Sequence, residues 1–253
     1  MTALSIGLQM YTLRNETAQD FLGTLRQVAD IGYEGVEFAG YGGMDAQSLR
    51  AELDQLGLKA LGSHVSIARM LEAADEEIEF NLTLGSKYLV VPWLPEEKYA
   101  TEEALAATCA ELEAIAARCA DRGLVFGYHN HTFELERTIG SKRLLDAIFD
   151  AAPTAQVELD ACWVHNAGID PTEYIRKYSG RIPLVHFKDM ARGEDGKAIT
   201  VELGKGEVDL GAIARAAREA GSEWLIVEQD VCQNPPLESV ASSMVWLKEN
   251  GLK

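Results

Sequence analysis

The feature that most restricts the fold is a regular alternation of short apolar segments with amphipathic or alanine-rich segments along the whole chain. The short segments are predicted strands at 4–10, 34–38, 58–64, 87–92, 124–130, 155–160, 182–188 and 224–229. The longer segments are predicted helices at 17–31, 45–56, 68–84, 101–122, 140–151, 170–179, 208–220 and 236–249. Strands that alternate with helices form a parallel sheet. Because eight such units fit a chain of 253 residues, the sequence predicts an α/β fold in which residues 1–253 form a single (β/α)8 barrel, the TIM-barrel architecture.

The composition of the chain limits the kinds of molecule that it can bind. The formal charge of −17 disfavours binding to a nucleic-acid backbone, and no apolar run is long enough to span a membrane. The segment 4–10 has the pattern of a strand rather than of a basic leader. The four cysteines show no paired spacing, which is typical of free thiols in a reducing compartment. We therefore expect a cytoplasmic protein without nucleic-acid or membrane partners.

One segment, 189–207, departs from the repeat. It follows the seventh predicted strand and is rich in glycine and charged residues. A connection of this length inside a barrel is usually functional. We expect it to form a lid or a small hairpin over the site.

Polar and aromatic side chains stand at or just after the predicted strands. They are Gln9, Glu37, His64, Trp93, His129, His131, Glu134, Asp160, His186 and Glu228. Each alone has an ordinary explanation, because a glutamate is often solvated and a histidine often belongs to the core. In a (β/α)8 barrel, however, the carboxyl ends of all strands meet at one mouth, where active sites form. We expect Glu37, His64 and Trp93 to contact a substrate there.

Three of these residues point to a metal ion. Asp160, His186 and Glu228 each end a strand rich in valine, leucine or isoleucine, where an unpaired charge costs several kcal/mol to bury. A divalent cation would compensate two carboxylates and an imidazole at once. A mixed oxygen and nitrogen ligand set suits Mn²⁺, Mg²⁺, Co²⁺ or Zn²⁺.

Several stretches of the chain carry a resemblance to a known family. They are 128–134 (YHNHTFE), 158–164 (ELDACWV), 185–189 (VHFKD) and 227–230 (VEQD), with further fits at 35–38 and 236–240. On these stretches the chain resembles the xylose-isomerase-like sugar phosphate isomerase/epimerase superfamily over its full length. The resemblance implies a carbohydrate substrate and one divalent metal ion held by four side chains, with Asp160, His186 and Glu228 on the family pattern.

The fourth ligand departs from that pattern. In ketose 3-epimerases of the superfamily a glutamate near the end of strand five supplies it, whereas this strand ends in Tyr128 and His129. Glu134 is the predicted fourth ligand, and His129 or His131 are the alternatives. A histidine-rich strand five is similar to the inosose-dehydratase-like and keto-sugar lyase proteins of the superfamily.

Such a site favours removal of a proton next to a carbonyl group, because a bound cation stabilises the resulting enediolate. Glu228 is the predicted base beside the metal ion. Glu134, His129 and His131 are the candidates for the opposing acid or base. Return of the proton gives isomerisation or epimerisation, and departure of a neighbouring group gives dehydration or another lyase reaction.

Lys188 lies two residues after His186 and therefore on the same face of its strand. A lysine there is predicted to stabilise an oxyanion or bind a substrate hydroxyl. The alternative is a salt bridge to Glu158 or Asp189. Glu158 shares the parity of Asp160 one layer deeper, so it needs a cationic or protonated partner inside the barrel.

The sequence thus predicts a divalent-metal-dependent isomerase or epimerase of a sugar or keto-sugar, with Mn²⁺ favoured over Mg²⁺, Co²⁺ and Zn²⁺. The alternative is a metal-dependent keto-sugar or inosose dehydratase or lyase on the same fold. A barrel that only binds sugar is the third hypothesis. The expected partner is a small carbohydrate, and the expected assembly is a homodimer.

Overall fold

A closed barrel of eight parallel strands forms the centre of the protein, and the computed structural model describes residues 4–253. The strands are β1 Ser5–Gln9, β2 Gly35–Phe38, β3 Lys59–His64, β4 Tyr88–Val91, β5 Val125–His129, β6 Gln156–Asp160, β7 Leu184–Phe187 and β8 Trp224–Val227. Each strand pairs in parallel with its neighbours in sequence, and β1 closes the ring against β8. The predicted single (β/α)8 barrel is confirmed.

Helices follow the strands and cover the outside of the barrel. They are α1 Arg14–Gln19, α2 Phe21–Ile31, α3 Ala46–Leu56, α4 Ile67–Leu84, α5 Glu102–Asp121, α6 Phe133–Glu136, α7 Leu144–Ala151, α8 Ala161–Asn166, α9 Pro171–Lys177, α10 Leu210–Ala220 and α11 Pro236–Glu249. Two 3₁₀ turns add Met10–Leu13 and Glu96–Lys98. Across the described residues, we find no helix with both the length and the apolar character that a membrane span requires.

Local capping chemistry explains most helix boundaries. Asp45, Ser66 and Thr101 each accept a hydrogen bond from a backbone amide in the first turn of α3, α4 and α5. Gly32 and Gly57 end α2 and α3 in the left-handed conformation, which glycine adopts without steric cost.

Two segments differ from the predicted pattern, and a third decides between two predicted alternatives. The predicted helix 17–31 is two helices, because Asp20 leaves the helical conformation (φ −148°, ψ 90°) and caps α2 through the amide of Gly23. The first residues of the predicted helix 140–151 belong to a hairpin in which Thr138–Ile139 pairs with Lys142–Arg143. The segment 189–207 contains a hairpin of Asp189–Arg192 with Ala198–Val201, so the hairpin alternative is confirmed.

The barrel interior is layered. Its lower part is apolar and includes Leu61, Tyr88, Val90, Leu184 and Ile226. Glycine makes room for these side chains, since a Cβ on Gly35 would lie 2.7 Å from both Leu61 Cδ2 and the Lys59 carbonyl oxygen. Side chains alternate between the two faces of a strand. On β7 and β8 the residues two and four positions after Leu184 and Ile226 are therefore interior as well, and they are the polar residues His186, Lys188, Glu228 and Asp230.

A bulge in β3 changes this alternation. Val36 of β2 pairs with Ala60, but the next residue, Glu37, pairs with Gly62, so Leu61 is the extra residue. Leu61 and His64 consequently both face the interior, although they are three positions apart. Ser63 instead bonds outward to Asn81 of α4 at 2.7 Å. The bulge therefore turns His64 towards the site.

Candidate active site

Two overlapping groups of ionisable side chains fill the upper interior of the barrel. The deep group is Glu37, His64, Glu158 and His186, and the upper group is His129, Asp160, His186 and Glu228. In each group one nitrogen or oxygen from every member lies within 4.8 Å of the others. Seven residues from six strands meet here, because the interior parity of each strand carries its last polar side chain to the same mouth. The predicted convergence is confirmed for these residues.

Hydrogen bonds tie the deep group together. Glu37 Oε2 accepts a hydrogen bond from Gln9 Nε2 at 2.7 Å and lies 2.9 Å from His186 Nε2. Glu158 Oε2 lies 2.6 Å from His64 Nε2 and 3.4 Å from His186 Nε2. The cationic or protonated partners that the sequence predicts for Glu158 are thus His64 and His186.

Two carboxyls and two imidazoles balance the charge of the deep group. Burial and the carboxylate of Glu158 raise the pKa of Glu37 to about 7. Burial opposes ionisation of Glu158, but His186 and His64 outweigh it and hold the pKa of Glu158 well below its usual range. Burial likewise opposes the charged imidazole of His64, yet Glu37 and Glu158 outweigh it and raise the pKa of His64. The protein therefore compensates these buried acids internally.

Lys188 holds the carboxylates of the upper group. Its Nζ lies 2.8 Å from Asp160 Oδ2, 2.6 Å from Glu228 Oε2 and 3.1 Å from Asp230 Oδ2. The suggested salt bridge to Glu158 or Asp189 is wrong. Lys188 lies above Glu158, while Asp189 points to the opposite face of the chain and accepts hydrogen bonds from the amides of 204–208.

These contacts set the protonation states in the upper group. Burial opposes ionisation of Asp160 and Glu228, but Lys188 is the strongest opposing influence on each and holds the pKa of both carboxyls below their usual range. Burial and the neighbouring His186 lower the pKa of His129, so its imidazole is neutral at pH 7. Burial disfavours the charge on Lys188 as well, but Asp160, Asp230 and Glu228 outweigh it and raise the pKa of Lys188.

The ligand atoms of the upper group fit a divalent cation. Within the described part of the chain, His129 Nε2 is buried without a partner in hydrogen-bonding geometry and lies 3.4 Å from Asp160 Oδ2. Asp160 Oδ1 accepts a hydrogen bond from the amide of Trp163, so Oδ2, which contacts Lys188 Nζ at 2.8 Å, is the oxygen that faces the group. One lysine among the carboxylates of Asp160, Glu228 and Asp230 also leaves an excess of negative charge. A cation with oxygen and nitrogen ligands would satisfy both deficits.

Glu134 lies outside both groups. Its side chain has no exposed surface, and its two oxygens accept hydrogen bonds at 2.8 Å from the Tyr128 hydroxyl and the His131 amide. Burial raises the pKa of Glu134 to about 8, although these donors oppose the shift. Of the three alternatives for the fourth ligand, the upper group contains His129. His131 instead lines the cleft above it.

An open cleft of about 420 Å³ lies directly above the upper group. Its lining residues are Tyr11, Ala39, His64, Pro92, Trp93, His129, His131, Lys188, Glu228 and Asp230. Trp93 and Tyr11 are 49% and 44% exposed, so their rings are available at the rim. The structure places His64 and Trp93 on the lining, as expected of substrate contacts, whereas Glu37 is fully buried beneath it.

One contributor, Asp230, was not among the predicted site residues, and Tyr11 joins it in lining the cleft. Asp230 lines the cleft and contacts Lys188, and its position two residues after Glu228 gives it the same strand parity. Tyr11 follows β1, and its ring packs against Arg14 with 4.3 Å between the guanidinium carbon and the ring centroid. Parity could have indicated Asp230, while the exposure of Tyr11 depends on the turn after β1.

The fold and the site together define a class of protein: a (β/α)8 barrel with a buried, mixed histidine and carboxylate group beneath an open cleft. The chain belongs to the xylose isomerase-like TIM barrel family, whose model matches residues 25–250. The predicted superfamily is thereby confirmed.

Two inosose dehydratases are similar to the chain in sequence. The chain is 26% identical to an inosose dehydratase of Geobacillus kaustophilus (strain HTA426) over 190 residues, which cover 66% of this chain and 61% of that protein. It is 23% identical to an inosose dehydratase of Clostridium botulinum (strain Alaska E43 / Type E3), covering 89% of this chain and 88% of that protein.

Two solved structures share the fold. A sugar phosphate isomerase/epimerase from Parabacteroides distasonis ATCC 8503 matches with a TM-score of 0.83 and 22% identity, covering 100% of this chain and 96% of that one. The IOLI protein with a binding zinc atom matches with a TM-score of 0.77 and 16% identity, covering 98% of each chain.

Proposed function

We propose that this protein is a divalent-metal-dependent enzyme that removes a proton next to the carbonyl group of a sugar or cyclitol and then eliminates a neighbouring group. The observation that carries this proposal is the upper group, in which two imidazoles and two carboxylates bring their ligand atoms within 4.8 Å of one another around a single buried ammonium group, that of Lys188. These atoms lie at the base of an open cleft. Carboxylate and imidazole atoms that converge beneath a cleft, with more carboxylates than ammonium groups, are typical of a metal centre rather than of a packed core.

The metal ion would be held by His129, Asp160, His186 and Glu228. Mn²⁺ remains the favoured ion, and the zinc atom in the IOLI structure makes Zn²⁺ the main alternative. When bound, the cation would supply positive charge beside the carbonyl oxygen of the substrate and so stabilise the enediolate.

Glu228 is the proposed base. Glu228 is buried, but Lys188 and His186 keep its pKa below the usual range. The carboxylate is therefore ionised at neutral pH and can accept a proton. It lines the cleft, so a substrate carbon can approach it. Lys188 contacts the same carboxylate and carries the protons needed to bind a substrate oxygen or protonate a leaving group.

The position of Glu134 supports elimination over epimerisation. Epimerisation requires an acid or base on each face of the carbon that loses its proton. Glu134, the predicted partner on the β5 side, is buried and bonded to Tyr128 and the His131 amide. Elimination requires one base and one acid, and Glu228 with Lys188 supplies both. Similarity to the two inosose dehydratases supports the same choice.

An isomerase or epimerase is the second candidate, and His131 is the observation that favours it. Burial, with further contributions from His129 and Lys188, lowers the pKa of His131 to about 3, so its imidazole is neutral. Its Nδ1 has no hydrogen-bond partner in the described portion of the chain. His131 also lies three strands from Glu228 around an eight-stranded ring, close to the opposite wall.

The cleft supports a carbohydrate as substrate. Exposed Trp93 and Tyr11 rings at the rim are suited to pack against the C–H face of a sugar or cyclitol ring. His64 and Lys188 offer donors to its hydroxyl groups.

Proton NMR in D₂O tests the proposal. The Mn²⁺-loaded protein, an EDTA-treated sample and a Glu228→Gln variant would be incubated with an inosose and a panel of ketopentoses and ketohexoses. Elimination yields an unsaturated ketone and loss of water. Deuterium at carbon without loss of a group would instead assign the isomerase or epimerase. Activity that survives both EDTA and Glu228→Gln would overturn the metal-dependent mechanism.

A further inference from the structure

His186 joins the two groups through its two ring nitrogens. Its Nδ1 faces upward and lies 2.8 Å from Glu228 Oε2 in the upper group. Its Nε2 faces downward and lies 2.9 Å from Glu37 Oε2 in the deep group. The ring is fully buried, so its orientation depends on these two contacts.

A histidine that binds a metal through one nitrogen normally keeps a proton on the other, and the acceptor of that proton decides which nitrogen is free. Glu37 is placed to be this acceptor. Its Oε2 is held by the Gln9 amide at 2.7 Å, and its side chain is fully buried, so it cannot turn towards the cleft. We propose that Glu37 is a positioning residue that keeps the proton on His186 Nε2 and leaves Nδ1 free to bind the metal ion.

This role differs from the substrate contact that the sequence predicts for Glu37. A residue without exposed surface beneath the cleft cannot reach a substrate, but it can orient a ligand that does face the metal ion. The inference rests on the metal centre of the proposed function. It adds which nitrogen of His186 binds the metal ion and why that nitrogen is free.

A second cation in the deep group is the competing interpretation. Glu37 Oε1 and Glu158 Oε1 are buried and lack hydrogen-bond partners among the described residues, as a second ion would require. However, His186 could serve two ions only by losing both ring protons, which is costly for an imidazole. Donors from Gln9 and His64 already lie against the carboxylates at 2.7 and 2.6 Å. The geometry therefore favours one ion per chain.

Metal titration of three variants tests the proposal. Isothermal titration calorimetry with Zn²⁺ and Mn²⁺ would compare the wild type with Glu37→Leu, which removes the acceptor, and Glu37→Gln, which keeps an acceptor oxygen but loses the charge. Glu77→Gln is the matched control, because Glu77 is a buried carboxylate on α4 that bonds Arg69 and Tyr41 instead. We expect one ion per chain, a 10- to 100-fold weaker affinity in Glu37→Leu, an intermediate loss in Glu37→Gln and no change in Glu77→Gln.

Nitrogen NMR reports which nitrogen of His186 carries the proton. A purely structural role of Glu37 would not affect this quantity. The chain has five histidines, so ¹⁵N-histidine labelling gives a spectrum that can be assigned. In the Zn²⁺-loaded wild type we expect zinc on Nδ1 of His186 and a slowly exchanging proton on Nε2. This measurement needs no variant, so zinc on Nε2 would overturn the proposal even if Glu37→Leu does not fold, and Glu37→Gln then tests whether Glu37 is the acceptor.

The outcomes separate this inference from the proposed function. A wild type that binds no divalent ion overturns both. One bound ion with zinc on His186 Nε2, or with unchanged affinity in both Glu37 variants, overturns only the role of Glu37. Two ions per chain overturn it as well and assign the deep group as a second cation site.

Discussion

Replacing Glu134 with glutamine should make the free energy of unfolding less sensitive to a rise in pH between about 4.5 and 8, without weakening metal binding. In the wild type the Glu134 carboxyl is fully buried and bonded to the Tyr128 hydroxyl and the His131 amide. Burial raises its pKa to about 8, so the carboxyl is mainly protonated in the folded protein at pH 7. Glutamine has the same shape, can accept from the amide through its oxygen, and can donate to the Tyr128 oxygen.

The direction of the effect follows from proton binding. Below about pH 4.5 the Glu134 carboxyl is protonated in both states and contributes no pH dependence. Between about pH 4.5 and pH 8 the folded state retains a proton that the unfolded state has lost, so the free energy of unfolding falls as pH rises. A difference of about 3.5 pKa units, at about 1.4 kcal/mol per unit, corresponds to a loss of about 5 kcal/mol across this window.

Urea unfolding at a series of pH values from 5 to 8 would measure this change. The difference in unfolding free energy between Glu134→Gln and the wild type should increase in favour of the variant by a few kcal/mol over the series. Glu136→Gln is the matched control, because Glu136 is exposed and lies on the same short helix. Parallel pH profiles for the wild type and Glu134→Gln would refute the reasoning, and a large loss of metal affinity in Glu134→Gln would restore Glu134 as a ligand.

Three further substitutions test other parts of the structure. Trp93→Ala should leave the free energy of unfolding within about 0.5 kcal/mol, because the ring is 49% exposed, but should raise KM several-fold in steady-state assays. Arg181→Met should lower the free energy of unfolding by about 2–4 kcal/mol in urea titrations, because the guanidinium donates to three carbonyl groups between 149 and 155. Asp189→Ala should cost about 2–3 kcal/mol by the same measurement and expose 204–208 to proteolysis, because this carboxylate accepts hydrogen bonds from three amides of that segment.

The pattern of apolar residues was enough to predict the eight barrel strands, because most strand residues are buried on one or other face of the closed sheet and are apolar up to the polar strand ends. The same pattern could not detect the split at Asp20, since a capping aspartate resembles any polar surface residue. It also missed the hairpin of Thr138–Ile139 with Lys142–Arg143, whose residues are polar or half-exposed. These elements depend on capping and turn geometry, which hydrophobic periodicity does not report.

Within the site, strand parity predicted which residues point inward but not which of them meet. Asp160, His186 and Glu228 come together as expected. The upper group contains His129 and not Glu134, because the chain after β5 turns Glu134 back onto Tyr128. The partners of Lys188 depend on how far neighbouring strands are staggered around the ring, which is a property of the closed barrel.

The sequence by itself determined the barrel, the end of the barrel that carries the site, and the set of side chains that could reach that end. These follow from local apolar runs and from alternation along each strand. Only the tertiary structure decided the depth and direction of those side chains. Glu37 lies beneath the cleft, and His64 enters it because a bulge in β3 shifts the alternation. Depth and direction depend on the stagger between strands and on single extra residues, and distances between strands far apart in sequence carry no signature in either strand alone.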